Sequence, residues 1–177
     1  NTDITTNERG AIVVNDTCES SVPGVYAVGD VNGGPQFTYI SLDDFRIVFG
    51  ALTGNSQYTL KDRKNIPYTT FLTPPLARVG LTEEEATNKG YTIKTKELLV
   101  ATMPRAHVND NLKGAFKIVV DAESNLILGA TLYSQGAEEL INLIKMAMDN
   151  NIPYTYFKNQ IFTHPTMAEN LNDLCNF

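Results

Sequence analysis

Two runs of β-favouring residues, Ala115 to Asp121 and Leu126 to Tyr133, are separated only by Ala122-Glu123-Ser124-Asn125. Valine, isoleucine and tyrosine suit a pleated, half-buried surface. A four-residue connection of turn-forming side chains leaves room for an antiparallel hairpin and none for the crossover that parallel pairing requires. The second half of the chain is therefore built on an antiparallel sheet. Further extended runs precede the hairpin: Tyr68 to Leu72, Ala77 to Leu81 and Tyr91 to Ala101. Between the second and third, Thr82-Glu83-Glu84-Glu85 is a capping box and Gly90 a C-terminal stop, predicting a helix over Glu83 to Lys89. Pro104 to Lys113, which contains His107, reads as a polar loop. Helices are predicted over Ala137 to Asn150, from Pro153 and after Pro165. Antiparallel strands with helices on one side define an α+β layer.

On the Ala137 to Asn150 helix, at ~100° per residue, Leu140, Ile141, Leu143, Ile144, Ala147 and Met148 share one face and Met146 lies towards the other. Two readings of this broad stripe stand: a core helix beneath the sheet, or a core helix whose edge also faces a partner subunit.

The first half is patterned differently. Ala11-Ile12-Val13-Val14 and Val25-Tyr26-Ala27-Val28 read as strands, the second apolar on both faces as in a covered sheet. After the loop Asn32-Gly33-Gly34-Pro35, Ser41 reads as a cap with acid behind it, Asp43 and Asp44, opening a helix through Phe45, Val48, Phe49 and Leu52. Thr53 to Pro67 is polar and connecting, and a domain boundary fits between Tyr58 and Asn65. The expected division is 1–57, the tail of an α/β domain with its following helix, and 58–177, the antiparallel unit. The chain of 177 residues opens at Asn1 without methionine and has room for two strands before its first loop. It is expected to be a C-terminal piece of a longer protein.

Composition narrows the function classes. Lys and Arg total 14 against 20 Asp and Glu, a net charge of -6, which opposes binding to phosphate backbones. No apolar run approaches the ~20 residues of a membrane span. Cys18 and Cys175 are too few for a disulfide scaffold or a four-thiolate metal site, so a cytoplasmic setting is expected and no metal site is assigned.

Two segments carry candidate chemistry. In Val22-Pro23-Gly24-Val25-Tyr26-Ala27-Val28-Gly29-Asp30 a turn feeds an apolar run that ends in Gly-Asp. Gly29 permits close approach to the backbone, and Asp30 sits at a strand's carboxyl end, where open α/β sheets bind ligands and a carboxylate accepts hydrogen bonds from sugar or ribitol hydroxyls. The bland alternative is a Gly-Asp that merely begins a loop. In His164-Pro165-Thr166-Met167-Ala168-Glu169, Glu169 is either the acid of a capping box begun by Thr166 or the partner that fixes the tautomer of the His164 imidazole.

Together these segments resemble the pyridine nucleotide-disulfide oxidoreductases. Val22 to Asp30 is similar to their C-terminal flavin-binding signature, and His164 to Glu169 to their His-Pro-Thr-x-x-Glu. Thr73-Pro74-Pro75-Leu76-Ala77-Arg78-Val79-Gly80-Leu81-Thr82-Glu83-Glu84-Glu85-Ala86 resembles the opening of their dimerisation domain. Within the family, Gly33 to Asp44 is most similar to the group linked to reactive-chlorine resistance, itself similar to mercuric reductases. The resemblance implies an FAD-dependent NAD(P)H:disulfide or metal-ion oxidoreductase that works as a homodimer, with the remaining FAD and NAD(P) domains N-terminal to this segment.

It further implies that Gly29 and Asp30 belong to the FAD site, with Asp30 on the ribitol. Gln36, Phe37 and Thr38 correspond to the helix entry beside the flavin pyrimidine edge, and His164 with Glu169 to an acid/base pair that reaches into the other subunit's disulfide site. No Gly-x-Gly-x-x-Gly loop and no close cysteine pair occur in this sequence. The nicotinamide site and the redox disulfide are accordingly expected in the preceding part, and the chain alone is expected to be inactive. Cys175 reads as a buried or incidental thiol, and His107 as an exposed loop residue. Two other functions fit the same residues: a non-catalytic dimerisation module, and a flavin-dependent NAD(P)H oxidase or quinone reductase without a redox disulfide.

Overall fold

The computed structural model describes residues 2–177. The chain forms two compact units, the first ending at Lys64 and the second running from Asn65 to Phe177. The division falls at the far end of the Tyr58 to Asn65 window and seven residues past the expected 57/58 split. Residues 58–63 are bonded back to the first unit: Leu60 donates its N–H to the Asp16 carbonyl at 2.9 Å, and Arg63 pairs with Asp43 and Asp44.

In the first unit, the two expected strands are reduced to isolated bridges, Thr6 with Ile12, Val14 with Ser20 and Glu19 with Tyr26. Val25 and Val28, expected under cover, are exposed. A strand apolar on both faces needs neighbours at its edges and layers above and below, and no described residue supplies them. The long helix α1 spans Thr38–Leu52. It begins three residues before the expected Ser41 cap because the Phe37 carbonyl already accepts from the N–H groups of Ile40 and Ser41. Its buried residues are Ile40, Asp44 and Ile47, while Phe45, Phe49 and Leu52 are exposed.

The second unit is the α+β layer. Its strands are β1 (Tyr68–Thr70), β2 (Leu76–Gly80), β3 (Ile93–Leu99), β4 (Ala115–Asp121) and β5 (Ile127–Tyr133), all antiparallel in the order β1-β2-β5-β4-β3. β4 and β5 are the expected hairpin. The register slips between Val119, opposite Gly129, and Val120, opposite Ile127, so Leu128 is the extra residue of a bulge. Its carbonyl thereby turns to accept the Leu81 N–H at 2.8 Å. Gly80 and Gly129 face each other across this point, and a Cβ on Gly129 would lie 2.1 Å from the Leu81 carbonyl oxygen.

The helices are α2 (Glu83–Asn88), α3 (Pro104–Val108), α4 (Ala137–Asp149), α5 (Tyr154–Asn159) and α6 (Leu171–Leu174). α2 opens with the expected capping box: Thr82 Oγ1 accepts from Glu85 N–H at 3.1 Å while the Glu85 carboxylate accepts from Thr82 N–H at 2.7 Å. α3 replaces the expected polar loop, with Pro104 in its first turn, where a missing N–H costs nothing. Leu140, Ile141, Ile144 and Ala147 of α4 are buried in one core with Val79, Phe116, Ile118, Val120, Ala130 and Leu132 of the sheet. Burying each larger aliphatic side chain of this set contributes about 1.5–3 kcal/mol. Leu143 and Met146 remain exposed at 39% and 61%, so the stripe is core along its centre and open at its edge. No helix among the described residues is long and apolar enough to cross a membrane.

Candidate functional site

Each unit carries one constellation. In the first, Gly29 is buried with φ 71°, a conformation that suits glycine. A Cβ there would stand 2.6 Å from Ser41 Oγ, so the group that approaches Gly29 closely is α1 itself. The Gly29 N–H donates to Asp44 Oδ2 at 2.7 Å, and the Asp30 carbonyl accepts from Gly33 N–H at 3.1 Å. The Asp30 backbone is thus held on both sides. Its side chain is exposed and makes no hydrogen bond to any described residue. Gln36 is exposed, Phe37 is half-buried with its ring stacked on Tyr39 at 5.1 Å, and Thr38 is the first residue of α1. No side chain caps the start of this 15-residue helix, whose aligned peptides place roughly half a positive charge there.

Sequence reasoning missed Asp44. Read as an acid behind a cap, it is instead the seventh residue of α1 and fully buried. Its Oδ2 also accepts from Asn32 Nδ2 at 2.8 Å, and its Oδ1 pairs with Arg63 Nη2. Arg63 Nε bonds Asp43 Oδ2 at 2.8 Å, and Tyr58 O–H reaches the same oxygen at 3.3 Å. The paired Asp43-Asp44 followed by a cation in the connecting segment was the available signal, but nothing local assigns Arg63 to that pair.

In the second unit, His164 and Glu169 meet. His164 Nδ1 lies 2.7 Å from Glu169 Oε2. Glu169 Oε1 accepts from Thr166 N–H at 3.0 Å, and Thr166 Oγ1 accepts from Glu169 N–H at 3.2 Å. The two readings of Glu169 are therefore simultaneous, one for each carboxylate oxygen. The helix expected after Pro165 starts later, as a 3-10 turn at Ala168–Asn170 leading into α6, so the reciprocal Thr166–Glu169 bonds brace the turn that carries the histidine. The His164–Pro165 peptide is cis. Burial works to raise the Glu169 carboxyl, but the bonds from His164 and the Thr166 N–H outweigh it and hold it below the ordinary glutamate range. An ionised carboxylate only accepts, so Nδ1 carries the proton. Nε2 is then the basic nitrogen, with no partner among the described residues on a side chain 67% exposed.

The other candidates make none of these hydrogen bonds, although Cys18 lies close enough to Asp44 and Arg63 to feel their charges. Cys18 and Cys175 are fully buried and unpaired, and burial pushes their thiols up to about 11 and about 12. His107, on α3 rather than in a loop, is exposed with Nε2 2.8 Å from the Ala101 carbonyl.

The second unit joins a five-stranded antiparallel sheet to the His164–Glu169 turn, and the first carries the Gly29–Asp30 turn with its following helix. The chain belongs to the pyridine nucleotide-disulphide oxidoreductases. The dimerisation-domain pattern of that family matches residues 66–175, and a second pattern, described as pyridine nucleotide-disulphide oxidoreductase, matches residues 1–44. Members of this enzyme family depend on FAD and NAD(P)H. The chain is 49% identical to the probable pyridine nucleotide-disulfide oxidoreductase RclA of Escherichia coli, over 98% of its own length and 40% of the relative's. It is 33% identical to a mercuric reductase of Staphylococcus aureus, over 95% of its length and 30% of that protein's. The solved HOCl-induced flavoprotein disulfide reductase RclA from Escherichia coli superposes with a TM-score of 0.94 over 97% of this chain and 40% of that one. LpdA from Mycobacterium tuberculosis, 21% identical with a TM-score of 0.87, shares the fold. The chain thus spans about two fifths or less of the length of these relatives.

Proposed function

We propose that this chain is the C-terminal portion of a homodimeric FAD-dependent NAD(P)H:disulfide oxidoreductase, supplying the dimer interface, one side of the flavin site and the acid/base pair. The observation that carries the reading is the 2.7 Å contact of His164 Nδ1 with Glu169 Oε2, in a unit that matches the family's dimerisation domain.

The residues of the first unit fit a flavin nucleotide. Asp30 offers an exposed carboxylate without a partner on a fixed turn, suited to the hydroxyls of a ribityl chain. Gln36, Phe37 and Thr38 place the uncapped positive end of α1 where electron-rich carbonyl edges are stabilised. When bound, FAD supplies the two-electron relay between nicotinamide and a dithiol. Glu169 holds the imidazole with Nδ1 protonated, and Nε2 is left to take a proton from a thiol and return it to the departing sulfur. Such a proton relay contributes roughly 10²–10⁴ in rate. Leu143 and Met146 on the open edge of α4, and Phe71 and Ile161 at 80% and 90% exposure, are large apolar side chains left in water by this unit alone, which supports a twofold partner for it.

Stopped-flow kinetics of His164→Ala in the full-length protein test the assignment. Flavin reduction by the nicotinamide should proceed at the wild-type rate, while thiol-linked reoxidation should slow by roughly 10²–10⁴. Undiminished reoxidation would remove the acid/base role and favour an acceptor that needs no proton from this residue.

A further inference from the structure

Among the described residues Asp44 is the only carboxylate that is fully buried, and its partners Gly29 and Asn32 are the first and last residues of a single 3-10 turn. Its hydrogen bonds converge on the turn that carries Asp30. One oxygen, Oδ2, takes both the Gly29 N–H at 2.7 Å and Asn32 Nδ2 at 2.8 Å, one donor on each side of Asp30. Asn32 extends the hold, with Nδ2 3.3 Å from the Ala27 carbonyl and Oδ1 accepting Gly34 N–H at 3.0 Å. The other oxygen, Oδ1, is matched by Arg63 Nη2, whose guanidinium is itself 10% exposed. A buried carboxylate without that cation would be strongly disfavoured. Arg63 therefore keeps an anion in place whose remaining lone pairs define the turn.

We propose that Asp44, charge-balanced by Arg63, is a positioning residue of the flavin site: it sets the Gly29–Asp30 turn so that the Asp30 carboxylate meets the ligand's hydroxyls. The proposal rests on the reading that Asp30 binds FAD. It separates two things that one carboxylate does. The pairing with Arg63 is dispensable if both charges leave together, because buried ion pairs replaced as a unit by neutral groups of similar volume are often tolerated, while Asp43, the second partner of Arg63, is 19% exposed, keeps the Tyr58 hydroxyl and loses Arg63 equally in both paired variants. The acceptor facing Gly29 and Asn32 is not dispensable, because its loss orphans two donors and frees the turn.

The test is FAD titration of the full-length apoprotein, followed by flavin fluorescence, with apoprotein melting temperatures measured in parallel. Asp44→Asn with Arg63→Met removes both charges but retains an amide oxygen towards Gly29 and Asn32, and FAD affinity should stay within about threefold of wild type. Asp44→Leu with Arg63→Met removes the acceptor as well, and affinity should fall by about tenfold or more, the scale of one orphaned buried donor. In an Asp30→Ala background the leucine-bearing pair should weaken FAD binding no further, because it acts through Asp30. A merely structural Asp44 would instead give independent, additive losses. Should the leucine-bearing pair fail to fold, Asn32→Ala carries the same comparison, with a roughly threefold loss that vanishes in the Asp30→Ala background.

Equal affinities for the two paired variants, or additive losses with Asp30→Ala, would overturn the role of Asp44. Wild-type FAD affinity in Asp30→Ala would overturn the reading of the site beneath it.

Discussion

Replacing Glu169 with glutamine divides the two jobs of that side chain. The amide oxygen can continue to accept the Thr166 N–H, now 3.0 Å from Oε1, because glutamine serves as well as glutamate in a capping box. The amide NH2 then faces His164 Nδ1, where Oε2 stands at 2.7 Å, and a donor facing a donor forces the imidazole proton to Nε2. Stability should change little. The His164 and Glu169 side chains are 67% and 19% exposed, and ion pairs at such surfaces contribute about 0–1 kcal/mol. Turnover should change greatly, since the nitrogen that must accept a proton is now protonated. The comparable amide-for-carboxylate swap behind a catalytic imidazole costs about 10⁴ in the serine protease triad, and the general range for acid/base catalysis is about 10²–10⁴. At 1.36 kcal/mol per tenfold that is about 2.7–5.4 kcal/mol of barrier, well above the stability change.

The assay pairs thermal melting with stopped-flow reoxidation of the full-length variant. Normal turnover at normal stability would refute the tautomer argument and leave Glu169 as a turn brace alone. The same carboxylate fixes the pH behaviour. Because its folded pKa is depressed, its stabilisation is fully present above the ordinary glutamate range and is lost as pH falls through the lower folded value. Wild-type and Glu169→Gln melting temperatures should therefore converge as pH falls below the ordinary glutamate range, and divergence on acidification would contradict the sign.

Cys18 and Cys175, buried with thiols pushed up to about 11 and about 12, should resist iodoacetamide at pH 8 until the protein is denatured. Fast labelling of either in the native protein, seen by mass spectrometry, would show that its segment opens. Gly129→Ala drives a methyl into the Leu81 carbonyl at the β5 bulge and should lower stability by about 1–3 kcal/mol in denaturant titration, whereas an unchanged midpoint would mean that the bulge relaxes freely. The chain on its own should sediment as a dimer through the open α4 edge and gain no stoichiometric flavin absorbance with added FAD. A monomer, or a yellow stoichiometric complex, would contradict the respective half of that expectation.

The parts of the fold with local signals were legible. Two β-favouring runs and a four-residue turn located β4 and β5 to within one residue, and Thr82 with Glu85 located α2 through its capping box. What escaped depended on distant partners. The buried face of α1 includes Asp44 beside Ile40 and Ile47, and the cation that balances this carboxylate inside, Arg63, is 19 residues away. The runs at Ala11 to Val14 and Val25 to Val28 have strand composition, yet composition does not say whether a neighbouring strand is at hand. At the site, His164 and Glu169 were visible as a pair because only five residues separate them. That Glu169 serves the turn and the imidazole together required coordinates for its two oxygens.

In the proposed dimer this unit supplies the partner subunit with its acid/base group, His164, while forming the interface between the two. Hybrid dimers test it most directly: a full-length His164→Ala subunit is combined with a subunit whose redox thiols are replaced by serine. If His164 serves the opposite subunit, the hybrid contains one complete site, and mixing the two inactive homodimers should restore up to about half of the activity per dimer, as one of two symmetric sites. If the hybrid forms and stays as inactive as its parents, His164 does not act across the interface and the claim is contradicted.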